Sequence, residues 1–187
     1  HDLHDDVGQS VTALRLGLRR IRDEHGHDAP LAEELTGSID LARDILGMEA
    51  GSHVIFDSTV RDVEANWKLL VEGGMESYHF RVAHKDTIAP LFLDNLSSYR
   101  SFGPHLRSIL PRSTLPELAP DARSDWSIRA TANLVYSLMP TSQFLVQEDH
   151  VVWISQRPVA ADRTVIRLAM LAPEDSEAPE SYWQSNH

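Results

Sequence analysis

His79 and His84, with Glu76 three positions before the first, are the residues of this chain whose types and spacing could do chemistry. Imidazole nitrogens joined by a carboxylate suit a divalent iron, because three protein ligands on one face of the ion leave adjacent positions for oxygen and water. The spacing alone does not prove the point. On an ideal helix five residues rotate by about 140°, so two histidines so spaced do not share a face. The plain alternative is a core or surface histidine pair beside a solvated glutamate. A third protein ligand is not obvious anywhere in the 187 residues. Asp175, Glu177 and Glu180 are acidic, but no pattern promotes one of them.

The elements that would position these residues can be read from periodicity. Gly73-Gly74 is expected to break the preceding pattern, with a helix following from Glu76 to His84. Val54-Ile55-Phe56 and Val60 suggest a strand. Beyond a proline-rich passage at Pro111 to Pro120 the chain turns β-rich. Leu134 to Tyr136, Gln143 to Gln147, His150 to Gln156 and Thr164 to Leu171 alternate with turn chemistry at Pro140-Thr141-Ser142, Glu148-Asp149 and Pro158 to Asp162, the spacing of an antiparallel meander. At the other end, Leu3, Val7, Val11, Leu14, Leu18 and Ile21 form one helical stripe. Leu31, Leu35, Ile39, Ala42 and Ile45 form a second, opened by Asp28-Ala29-Pro30 as cap and first turn and ended near Gly47. Two helices cannot cover their own apolar faces. Such a hairpin must dimerise into a four-helix bundle or lie on another domain.

Composition sets the outer bounds. With 42% hydrophobic residues in 187, the chain can bury a real core. Acidic residues outnumber basic ones 28 to 17, for a formal charge of -11, which offers nothing to nucleic acid or to an anionic membrane. No apolar run approaches the roughly 20 residues that span a bilayer, and the first residues lack a signal peptide's pattern, so a cytoplasmic location is expected. The absence of cysteine excludes disulfides, zinc-thiolate sites and cysteine-ligated iron–sulfur clusters.

Asn66-Trp67-Lys68, Glu72, Glu76-Ser77-Tyr78-His79 and His84-Lys85-Asp86-Thr87 resemble the iron-binding segment of the catalytic domain of Rieske-type ring-hydroxylating oxygenases. The resemblance runs on through Asp149-His150-Val151-Val152-Trp153 to Tyr182-Trp183-Gln184-Ser185-Asn186-His187. It implies an α+β fold, an antiparallel helix-grip-like sheet with helices, here preceded by an N-terminal α-helical hairpin. It further implies that His79 and His84 hold a mononuclear non-haem Fe(2+). Glu76 matches the acidic residue that links the iron to an electron-donating cluster in a neighbouring subunit. An aromatic or other small organic substrate is expected. The family's Rieske domain cannot be built without cysteine, so electrons would come from a Rieske domain or reductase on another chain. The family's third ligand, an aspartate in a helix beyond the Tyr-Trp segment, has no counterpart here.

Residues 3 to 16, Leu3-His4-Asp5-Asp6 through Leu16, are similar to the phosphoacceptor helix of a histidine-kinase subfamily. With Val7 as zero, His4 falls about 60° round the helix, at the edge of the apolar seam. The similarity implies His4 as phosphoacceptor, Asp5 as the assisting acid, Gln9 as the residue positioning water, and a possible homodimer through these helices. An ATP-binding domain is not seen. The expected organisation is therefore residues 1–50 as a dimerisation and phosphoacceptor hairpin and residues 51–187 as a truncated oxygenase-like catalytic domain. A two-component signalling fragment, or an inactive fusion or truncated remnant, are the alternatives.

Overall fold

The structure is a computed structural model that describes residues 15–47, 53–118, 126–174 and 176–185. The strands are β1 (His53–Val63), β2 (Ser98–Phe102), β3 (His105–Pro111), β4 (Ala132–Leu138), β5 (Ser142–Val146), β6 (Val151–Ala160) and β7 (Arg163–Pro173). All pair antiparallel in the order β1-β7-β6-β5-β4-β3-β2. From β2 to β7 each strand neighbours its successor, so most of the sheet is a meander of short connections. β1 closes the row against β7. The four strands expected from alternation are β4 to β7, and the expected strand at Val54 is β1. The β2–β3 hairpin lies ahead of the region expected to be β-rich. Its two-residue loop is Gly103-Pro104, and Gly103 takes a φ of +58 that favours glycine.

Alternation divides the sheet into two faces. Leu134 and Tyr136 of β4, Val146 of β5, Val151 of β6 and Leu171 of β7 form one buried layer. Over it lies α2 (Ala29–Leu46), following α1, the helix of residues 15–24. Asp28 caps α2 by accepting from Leu31 N at 3.2 Å, and Pro30 sits in its first turn, as the sequence suggested. Ile39, Leu41, Ala42 and Ile45 are buried, and each of the three larger side chains contributes about 1.5–3 kcal/mol relative to exposure. The helix over the sheet is thus the second of the pair. Of the first stripe, Ile21 stays 44% exposed, and Val7, Val11 and Leu14 lie outside the described residues.

Polar groups fix where α2 sits. Asp44 accepts from Arg107 Nη1 at 2.5 Å and from the Tyr136 hydroxyl at 3.0 Å. Burial, with the Asp44 carboxylate beside it, holds the Tyr136 phenol far above its usual range, so it stays a donor. Tyr136→Phe removes one hydrogen bond to a charged acceptor that keeps its arginine. The expected loss is about 1.5 kcal/mol in urea unfolding.

His105 is a second anchor. Its Nδ1 accepts from Met139 N at 3.1 Å, which leaves Nε2–H to donate to Ser38 Oγ on α2 at 3.2 Å. Burial lowers its pKa, opposed by the charge of Glu34. The folded chain therefore resists a proton that the unfolded chain accepts below about pH 6.5. The contribution to stability is complete above that pH and falls away as pH drops beneath it. Urea midpoints should fall between pH 7.5 and 5.5, and fall less in His105→Gln.

Candidate functional site

The opposite sheet face carries α3 (Trp67–Met75), α4 (Phe80–Ala83) and the chain between Ala83 and β2. Asn66 caps α3 by accepting from Lys68 N at 2.9 Å, while its amide donates to Ala161 O at 2.6 Å in the β6–β7 turn. Thr164 Oγ1 donates to Ala65 O at 2.8 Å, and Val71 is buried. The start of α3 is thereby tied to the sheet, and its end delivers Glu76.

The expected helix from Glu76 to His84 is not continuous: after coil and a turn, only Phe80–Ala83 is helical. Gly73-Gly74 lies inside α3, which ends at Met75, and α4 is only four residues long. Gly74 lies close against the sheet: a Cβ would stand 2.4 Å from Gln143 Oε1 on β5, so that buried side chain would have to move. Helix propensity yields to close approach. With α4 so short, His79 is its N-cap and His84 its C-cap. No continuous helix runs through both, so the two rings are not held about 140° apart.

The two imidazoles accordingly come together. Their ring centroids are 5.4 Å apart at an interplanar angle of 67°, and Phe80 meets His79 at 4.8 Å and His84 at 6.1 Å, edge to face. Two imidazoles bound side by side to one ion, with nitrogens about 2.1 Å from it, would hold their centroids roughly 5 Å apart. Glu76 folds back on His79: Oε1 pairs with Nδ1, and Oε2 accepts from His79 N at 3.2 Å. A carboxylate only accepts, so Nδ1 carries the proton and the Nε2 lone pair is left for an electrophile. With both oxygens engaged by His79, Glu76 orients that imidazole and is not itself free to ligate. Among the described residues no group of three or more His, Cys, Asp or Glu could hold a metal. The donor set fits two positions on an iron.

Downstream of α4, the chain is pinned in place. Arg81 pairs with Asp94, Ser77 Oγ meets Ser97 Oγ at 2.8 Å, and Leu93 N and Ser113 N bond across to Pro111 O and Leu91 O at 2.9 and 3.0 Å.

Glu76, His79 and His84 line a cavity of about 290 Å³ between this layer and the sheet. Its walls are mostly apolar, with Phe80, Leu91, Phe92, Leu110, Val135 and Ile154 among them. The sheet adds Ser108, Asn133, Gln143 and Gln147. None of these four is a candidate site residue from sequence, although Gln143 and Gln147 bound an expected strand. Asn133 and Gln147 each adjoin a buried residue of the opposite face, while Ser108 and Gln143 carry no such signal. Tyr78 is 71% exposed, outside the cavity. Asp149 and His150 form a separate cluster with Tyr182 and Trp183. His4, Asp5 and Gln9 lie outside the described residues.

The family model for the ring hydroxylating alpha subunit (catalytic domain) matches residues 52–186. No curated protein matches the sequence. Among solved structures, the chain is similar to the quaternary ammonium Rieske monooxygenase CntA in complex with an inhibitor, with a TM-score of 0.63 and 15% identity over 78% of this chain and 37% of that one. The complex of the same enzyme with L-carnitine gives 0.59 and 15%, over 78% and 37%. Naphthalene 1,2-dioxygenase with indole bound in the active site gives 0.54 and 12%, over 74% and 38%. The chain thus spans a little over a third of these structures' lengths, and at such identities the likeness is one of fold. Among the described residues no helix is long and apolar enough to cross a membrane.

Proposed function

The chain belongs to the family of ring-hydroxylating alpha-subunit catalytic domains, and from that premise we propose that His79 and His84 hold a mononuclear ferrous ion serving dioxygen-dependent hydroxylation of a small organic substrate. The observation that carries the proposal is the convergence of two imidazoles, 5.4 Å apart, on the lining of one largely apolar cavity. When bound, the iron would supply a centre at which dioxygen is activated beside the substrate.

The chain's own residues supply the rest. Glu76 holds His79 in the tautomer that offers Nε2, and Phe80 braces both rings. The apolar walls desolvate a guest and keep it against the histidines. Glu76 is also 29% exposed at its side chain, which suits the family's role for this position as a link toward an electron donor. The 187 residues hold no cysteine, so that donor, a Rieske domain or reductase, lies outside them. The test is anaerobic titration of the purified chain with ferrous iron in acetate buffer, where acetate can stand in for the missing carboxylate. Uptake of one equivalent supports the proposal. No uptake above a chelator blank overturns it.

A further inference from the structure

The cavity floor carries a polar group whose direction is set by a chain of hydrogen bonds running to the surface. The chain starts at Asp149, which accepts from the Tyr182 hydroxyl and from His150 Nδ1 at 2.7 Å. Burial alone would push the Asp149 carboxyl up. The hydrogen bonds from Tyr182 and His150 outweigh that and hold it below its usual range, so it is an acceptor only. His150 Nδ1 must therefore donate, which in the neutral ring leaves Nε2 as an acceptor. Gln147 Nε2 lies 2.8 Å from that nitrogen and donates to it. The amide's other end, Gln147 Oε1, then faces Asn133 and accepts from its Nδ2 at 3.4 Å. Asn133 is left with its carbonyl. Oδ1 is buried, belongs to a residue lining the cavity, and finds no hydrogen-bond partner among the described residues. Ser108 Oγ is in the same condition. In the register, Leu110 opposes Asn133 and Ser108 opposes Val135, so the two polar residues are diagonal neighbours on one sheet face.

We infer that the cavity selects an uncharged, mainly apolar molecule bearing one hydroxyl or N–H group, which donates to Asn133 Oδ1 with Ser108 Oγ beside it. The inference deepens the oxygenase reading and rests on it only in taking this cavity as the substrate site. The sheet's contribution to the lining has no ionised side chain, and Glu76 is engaged by His79, so a cationic guest would find no counter-ion on the floor. A buried acceptor left unpaired disfavours a guest that cannot donate. Gln147 and His150 act through Asn133 as positioning residues.

The experiment compares dissociation constants of the iron-free chain for 2-naphthol, 2-methoxynaphthalene and naphthalene by calorimetry. The alcohol should bind at least about tenfold more tightly than its ether. Asn133→Leu should bring that ratio close to one while leaving naphthalene binding unchanged or stronger. Gln147→Leu, which frees the Asn133 amide to turn, should lower the ratio too, and it decides the matter if Asn133→Leu does not fold. Equal affinity for alcohol and ether in the unaltered chain, or a ratio that survives the substitutions, overturns the inference. Because no iron is present, failure here is separable from failure of the ferrous titration.

Discussion

His79→Ala should abolish stoichiometric ferrous binding, and Glu76→Gln should weaken it by about 10–100-fold with His79 still in place. The two effects differ because the two residues act differently. His79 offers the lone pair itself. Glu76 accepts the Nδ1 proton and so decides which nitrogen is free to bind; glutamine can accept through its carbonyl but no longer raises the imidazole's basicity as a carboxylate does. Competition against a ferrous chelator under anaerobic conditions measures both. Equal affinities for the unaltered chain and Glu76→Gln would show that the Glu76–His79 pair plays no part in holding metal.

Gly37→Ala should destabilise the fold by about 2 kcal/mol, although helix propensity alone predicts a gain of about 1 kcal/mol. Gly37 lies in α2, where it crosses the β2–β3 hairpin. A Cβ there would stand 2.5 Å from Gly103 N and 2.6 Å from Phe102 C. These are backbone atoms, and Gly103 is already committed to its φ of +58 in the turn. The helix would have to lift, loosening Leu41 and Ile45 from the core they share with Tyr136. Gly73→Ala in α3 is the matched control: a Cβ there meets nothing within 4 Å. It should stabilise by up to about 1 kcal/mol. Urea unfolding of both variants reads opposite signs; the same sign in both would mean that the approach of α2 to the hairpin is not as close as described.

How much could be read in advance depends on which force shapes each element. β4 to β7 were legible because each is a largely apolar, strand-forming run bounded by turn residues. β2 was not, since every residue of Ser98–Phe102 except Phe102 is exposed, and the one available cue was the Gly103-Pro104 pair. α3 was misjudged at Gly73-Gly74 because a glycine pair reads locally as a break. Gly74 lies against the Gln143 side chain, 69 positions away in sequence, and no local pattern contains that contact. The candidate iron ligands were legible as a motif but not as a geometry, because their convergence depends on α4 being four residues long. Ser108, Asn133, Gln143 and Gln147 escaped notice for a related reason. On a two-faced strand a polar residue looks like the solvated side, and only the layer of α3 and α4 above turns that side into a cavity floor. The second helical stripe was readable at Ile39, Ala42 and Ile45 but missed Leu41, and its covering role over the sheet, shared with Asp44 and His105, is tertiary.

The most direct test of the account is a count of imidazole nitrogens bound to the metal, by pulsed electron paramagnetic resonance of the ferrous–nitric oxide adduct. Two histidine nitrogens are expected in the unaltered chain and one in either His79→Ala or His84→Ala. A single histidine nitrogen in the unaltered chain, or a count that neither substitution changes, would contradict it.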